Sequence, residues 1–266
     1  MITSQLNKED IYEKQLEKYA ADFVDIYQSE KQKREELESA NLQISKYADD
    51  LKCTLSDLEI AHRQLQESYL DTIHRLVMAA EFRDDDTAKH IVRIGKYCEL
   101  MGTEISLPPD HVRNLFNAAP MHDIGKIGIP DLILNKPGKL TVAEFEVIKT
   151  HTTIGASLLR GSKSEILQLG EVIALSHHEK WDGNGYPYGL KGKDIPIEGR
   201  IVAVADVFDA LTSERRYKKA FTIEVSLNIL KEERGKHFDP EIIDVFFDNI
   251  DRILNIKEFV DKEKEN

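Results

Sequence analysis

Between Asp86 and Asp206 the chain sets out five histidines and three aspartates in an order that could build a hydrolytic metal centre. They occur as D-D-D-T-A-K-H (Asp86, His90), M-H-D-I-G-K (His122, Asp123, with Lys126), I-K-T-H-T (His151), S-H-H-E-K (His177, His178) and A-V-A-D-V (Asp206). Imidazoles mixed with carboxylates, and no thiolate among them, suit two or three first-row transition metals acting on water. Adjacent helical residues diverge by roughly 100°, so His122 and Asp123 cannot both face one metal head-on. A carboxylate can, however, bridge two metals while its neighbour binds one. Asp86 lies four residues before His90 and would share its helical face. An aspartate there also suits the N-terminus of a helix, and Asp84 and Asp85 beside it are of the same kind. Lys126, one turn beyond His122, would lie on the same face. His62, His74, His111 and His237 lack such company and read as structural or surface residues.

Soon after the paired histidines comes W-D-G-N-G-Y-P-Y-G-L-K-G-K-D-I-P. Its glycines allow a tight turn, Pro187 stiffens it, and Tyr186 offers an aromatic ring with a hydroxyl. With this loop in place, the motif order from about residue 76 to about residue 253 resembles the HD-GYP phosphodiesterases, which open the bacterial second messenger cyclic di-GMP. The resemblance implies an all-α, HD-type helical bundle. It also implies that His122 binds one metal and Asp123 bridges, with His90 and Asp206 at one end and His151, His177 and His178 at the other. Relatives with a carboxylate at the position of Asp86, usually glutamate, look like three-metal enzymes, whereas many others carry tyrosine there. Two or three divalent metals are expected, iron foremost, with manganese as the other candidate.

The same resemblance has Gly185, Tyr186 and Pro187 contact the dinucleotide, and Arg215 and Lys218 grip guanine and phosphate. Lys126 would steady a phosphoryl oxygen or protonate the departing 3′ oxygen. The implied reaction is hydrolysis of cyclic di-GMP, through a metal-bridging hydroxide, to 5′-pGpG and on to GMP. One alternative is an HD-type nucleotide phosphohydrolase, which the G-Y-P loop and the second histidine cluster do not fit. Another is a signalling adaptor that binds a cyclic dinucleotide without cutting it, which the complete donor set weighs against. The chain departs from the family pattern at Asp86, at Gly199-Arg200, and at Pro120, whose missing N–H predicts a kink before His122.

Helices must position these residues. Residues 1–75 read as one long helix with an apolar residue at nearly every seventh position: Leu16, Phe23, Leu37, Ile44, Leu51, Leu58 and Leu65. A weaker offset series runs through Ala20, Tyr27, Ala48, Leu55, Tyr69 and Leu76, which makes an a/d seam. Asn41 falls at an a position, where a buried amide pair favours a parallel two-stranded register. A parallel homodimer through this seam is therefore expected. Residues 76–255 would form the catalytic domain and 256–266 a charged tail. Within the domain, Thr141–Glu144 is a capping box, and Asp239-Pro240 opens another helix. Gly102, Gly161 and Gly235 are expected at helix ends. The run 201–211 should be a buried central helix, so Asp206 and Asp209 must each bind metal or be paired. The Gly- and Pro-rich stretch 180–199 is long enough to suggest a functional loop.

With 266 residues, 32% of them charged and 41% hydrophobic, the chain has room for one ample domain plus an extension. A formal net charge of -12 excludes a broad nucleic-acid surface and means that an anionic substrate needs local positive charge. No stretch approaches the roughly 20 apolar residues of a membrane span, and the first ten residues are too polar for a signal peptide. Cys53 and Cys98 stand far apart, which suits a reducing cytoplasm. No sensor segment is recognisable, so control would come from an unidentified regulatory partner, dimer geometry, expression or metal redox state.

Overall fold

The computed structural model describes residues 2–81, 88–214 and 219–262, so Asp86, Arg215 and Lys218 lie outside the described residues. Helix α1 (Ile2–Glu81) contains neither proline nor glycine to interrupt its backbone ladder. Exposed pairs one turn apart, such as Asp71 with Arg75 at 2.8 Å, lend it slight local support. The chain divides into two units, Met1–Ser68 and Tyr69–Asn266. In the first, the seam residues Leu16, Phe23, Leu37, Ile44, Leu51, Leu58 and Leu65 are all exposed. The second opens with the end of α1, where a different face takes over. Ile73, Val77 and Ala80 are buried at helical spacing, while the seam residue Leu76 stays exposed.

Ten further helices follow among the described residues: α2 (Ala88–Glu104), α3 (Pro109–Ala118), α4 (Asp131–Leu134), α5 (Val142–Lys149), α6 (His151–Leu159), α7 (Glu165–Ser176), α8 (Ile197–Thr212), α9 (Ile223–Glu232), α10 (Pro240–Asp248) and α11 (Ile250–Lys262). No strand occurs among the described residues, as the all-α expectation requires. No helix among them is long and apolar enough to cross a membrane.

Helix α8 is the central element, with α2, α7, α9 and α10 packed against it. It buries Ile201, Val202, Val204, Ala205 and Phe208 almost completely. Phe208 meets Tyr97 of α2 edge-on at 5.6 Å between ring centroids and Phe246 of α10 at 5.1 Å. Burying each large apolar side chain stabilises the fold by about 1.5–3 kcal/mol, and aromatic edge contacts add to that. Apolar burial on all sides is what makes the two aspartates of α8 informative.

The capping box at Thr141 is formed in full, and Asp239 caps α10 by accepting from the Glu241 N–H at 2.8 Å, with Pro240 in the first turn. Gly161 and Gly235 adopt φ of +80° and +76° just past the ends of α6 and α9. Gly102 does not end α2. The helix continues to Glu104, and the chain turns at Ser106 (φ +60°), where the Leu107 N–H returns to the Gly102 carbonyl. The segment expected as a charged tail is helical as far as Lys262. Ile253 and Val260 of α11 are buried, and Asp261 reaches Arg93 of α2 at 2.9 Å, so a sparse apolar stripe docks a mostly charged helix.

Candidate metal centre

The backbone breaks where the sequence suggested a continuous helix. After Ala118 the chain tightens into a 3-10 turn over Ala119–Met121, which holds Pro120 in its first positions, where a missing N–H is tolerated. His122 follows, then Asp123 at φ −104° and ψ 8°, then a second 3-10 turn, Ile124–Gly128. The proline therefore ends the helix rather than kinking it. His122 and Lys126 meet around Asp123 through two tight turns, not along one helical face. Gly125 is required there, because a Cβ would lie 1.9 Å from the His151 carbonyl oxygen. That close approach seats the turn on the start of α6 and brings His151 to Asp123.

Two groups of donors result. Asp123, His151, His177 and His178 form one, and His90, His122 and Asp206 the other. Within each group, one ligand atom per residue lies within 4.8 Å of all the others. Asp123 Oδ2 is 3.3 Å from His122 Nε2, while Oδ1 is 3.1 Å from His151 Nε2 and 3.6 Å from His177 Nε2. The carboxylate thus turns one oxygen to each group. The seven residues come from α2, the 3-10 turns, α6, the end of α7 and α8.

Outer partners orient the rings. Nδ1 of His122, His151 and His177 faces the carbonyls of Ala119, Ile148 and Ile173 at 3.0, 2.7 and 3.1 Å, and His90 Nδ1 faces Asp209 Oδ2 at 2.7 Å. These acceptors place a proton on each Nδ1 and point each Nε2 inward. Among the described residues, the buried His122 Nε2 and Asp123 Oδ1 have no hydrogen-bond partner. Buried ring nitrogens and carboxylate oxygens that converge in this way, two of them without a hydrogen bond, fit a cation.

Electrostatics agrees with that fit. Burial opposes charge on His122, but Asp123, Asp206 and Glu81 overcome it and push the imidazole up to about 10. A proton thus takes the place that a metal would claim. Burial opposes charge on Asp123 as well, yet Lys126, with its Nζ 2.7 Å away, and His122 hold the carboxyl well below the usual carboxylate range. Burial and the neighbouring rings push His177 and His178 below the ordinary imidazole value, which keeps both neutral as ligands must be.

The loop after α7 walls the group with His151, His177 and His178. Tyr186 lies with its ring centroid 4.7 Å from that of His178, and its N–H donates to the His178 carbonyl at 3.1 Å. The Tyr186-Pro187 bond is cis. Gly185 permits the loop to fold back, since a Cβ would come 2.3 Å from the Lys180 nitrogen. Buried Glu179 accepts the N–H groups of Tyr188 and Leu190 at 2.7 and 2.9 Å and so ties down the far side. On its outer face Tyr186 meets Phe145, and Lys149 lies over both rings.

Sequence reasoning flagged Asp209 only as a carboxylate that must bind metal or be paired. Its oxygens take Arg93 from two nitrogens as well as His90, so it orients a candidate ligand. Arg93 and His90 hold its carboxyl below the ordinary value against the cost of burial. Glu179 stands in the quoted S-H-H-E-K motif without having been assigned a role. Glu81, at the end of α1, was missed outright because the heptad pattern drew attention to another face. Burial pushes its carboxyl up to about 7.

The fold and the paired His/Asp groups define an HD domain, and the chain belongs to that family, with the HD domain profile matching residues 74–242. It is 44% identical over 207 residues to the cyclic di-GMP phosphodiesterase response regulator RpfG of Xanthomonas campestris, covering 76% of this chain and 55% of that protein. It is 37% identical over 232 residues to a 3′3′-cGAMP-specific phosphodiesterase 2 of Vibrio cholerae, covering 87% of this chain and 44% of the relative. The chain thus spans about half the length of these relatives. The fold is similar to that of an HD-GYP-type protein of Bdellovibrio bacteriovorus, with a TM-score of 0.51 at 19% identity over 68% of this chain and 62% of the other.

Proposed function

We propose that the chain is a metal-dependent phosphodiesterase that hydrolyses cyclic di-GMP to 5′-pGpG and on to GMP in the cytoplasm. One observation carries the reading: Asp123 turns one carboxylate oxygen to each of two buried, histidine-rich groups. Divalent metals, iron before manganese, would be held by His90, His122, Asp123 and Asp206 at one end and by Asp123, His151, His177 and His178 at the other. Asp86 would help to hold a third. When bound, such metals supply Lewis acidity and a water acidic enough to attack phosphorus near neutral pH.

The protein's own side chains do the rest. Lys126 neutralises charge on the phosphoryl group and hands a proton to the departing 3′ oxygen. Burial, with Asp123 and Asp206, raises the Tyr186 phenol above its ordinary value, so it keeps its proton and can donate to the dinucleotide. Gly185 and Pro187 shape that wall, while Arg215 and Lys218 bind guanine and phosphate edges. The higher identity to the cyclic di-GMP relative favours this substrate over cyclic GMP-AMP, the second reading.

Protein purified without oxygen and loaded with Fe²⁺ or Mn²⁺ is expected to hydrolyse cyclic di-GMP faster than cyclic GMP-AMP, and chelation is expected to stop it. Asp123→Ala should lose more than about 90% of the rate, because among the described residues it is the carboxylate that turns an oxygen to each donor set. Chromatography of the nucleotide products checks both outcomes. Turnover that survives chelation, or a loaded protein that binds cyclic di-GMP without cutting it, would overturn the reading.

A further inference from the structure

The end of α1 carries a carboxylate that the reaction scheme above does not use. Glu81 is 2% exposed, and among the described residues neither of its oxygens has a hydrogen-bond partner. The charged groups that act on it are Lys126, Asp123, His122 and His90, all belonging to the candidate centre. Lys126 is engaged with Asp123 at 2.7 Å. An ionised carboxylate buried without a donor is costly, typically by several kcal/mol. The seam does not explain the residue, since the buried face of this part of α1 is the one with Ile73, Val77 and Ala80.

Of the residues whose charge acts on Glu81, His90 and His122 belong to the group completed by Asp206, and Asp123 turns an oxygen to both groups. The Glu81 carboxylate lies outside the tight cluster of donor atoms, which suits contact through a bound water as well as direct ligation.

We propose that Glu81 is a further acidic donor of the metal centre, serving the divalent cation at the His90, His122 and Asp206 end directly or through one water. The inference rests on the metal-centre reading above and adds a residue from outside the HD and GYP motifs.

The test uses the full chain, stripped with chelator and titrated with Mn²⁺, reading affinity, stoichiometry and metal-induced rise in melting temperature. Glu81→Gln keeps the shape and removes the charge. It is expected to weaken the affected Mn²⁺ site by 10- to 100-fold, as loss of a supporting donor does. Glu81→Asp keeps the charge with a shorter reach and should fall between the two; should the Gln variant not fold, the Asp variant decides. Mn²⁺ affinities of Glu81→Gln within about twofold of wild type would overturn the proposal while leaving the metal-centre reading intact. A wild type that takes up no Mn²⁺ would sink both.

Discussion

At the scale of single residues, Asp209 shows how a buried charge becomes an orienting device. It is 1% exposed, and its two oxygens are shared between Arg93, itself nearly buried, and the Nδ1 of His90. Each partner cancels part of the burial cost of the others. Asp209→Asn keeps the shape but leaves Arg93 with only the part-exposed Asp261 as an anion, so the metal-free protein is expected to lose about 3 kcal/mol, the lower end for breaking one side of a buried pair. The amide also offers an N–H where His90 needs an acceptor, so the ring is free to turn. Mn²⁺ affinity should fall by about 10- to 100-fold. Chemical denaturation and Mn²⁺ titration check the two effects separately. A large stability loss with unchanged affinity would reduce Asp209 to a packing role.

Among elements, the loop after α7 is held at both ends. Glu179 anchors the Tyr188 and Leu190 amides, and on the other side Trp181 and Asp182 donate to the His237 and Lys236 carbonyls at 3.0 and 2.9 Å. Gly185→Ala puts a methyl into the Lys180 backbone and must displace Tyr186. Its expected signature is a rise in KM of tenfold or more, on the scale of a misplaced binding group, with Mn²⁺ binding little changed. Steady-state kinetics beside the metal titration separates this from damage to the centre.

His237, in the same anchor, supplies a pH dependence. Burial, with Lys180, brings its imidazole down to about 4 from 6.5, against the pull of Asp206 and Asp182. Between those values the unfolded chain binds more protons than the folded one. Its contribution is therefore whole above pH 6.5 and is lost as the pH falls towards 4, on the order of 3 kcal/mol in all. Under chelation, the fall in melting temperature from pH 7 to pH 5 should be visibly smaller in His237→Gln than in wild type.

For the whole molecule, the first 68 residues present a long apolar seam with every leucine of its stronger series exposed. A second copy in parallel register would cover it, with Asn41 paired to Asn41. Light scattering of the full chain is expected to give twice the monomer mass. Leu51→Asp combined with Leu58→Asp should return it to one monomer mass, since two buried charges per helix cost far more than the seam residues they replace contribute. A dimer that survives both substitutions would show that another surface holds the copies together.

What the sequence determined by itself was whatever depends on residue type and short spacing. A seven-residue apolar repeat without glycine or proline is a long helix anywhere, Thr141 and Asp239 cap wherever they stand before a helix, and a run such as 201–211, apolar apart from two aspartates, must be buried. The histidines and aspartates could be named as a set because motif order carries them. Tertiary structure decided what depends on contacts across long separations. Asp209 meets Arg93 and His90 more than a hundred positions away, and only packing of α2 on α8 brings them together. Gly125 matters through the carbonyl of His151, and Gly102 sits inside a helix because the turn at Ser106, not the glycine, ends it. Pro120 read alone predicts a kink, but the two 3-10 turns around Asp123 convert it into a clean break that places one carboxylate between two donor groups. Glu81 was illegible because a carboxylate on a charged helix looks solvated until the fold buries it.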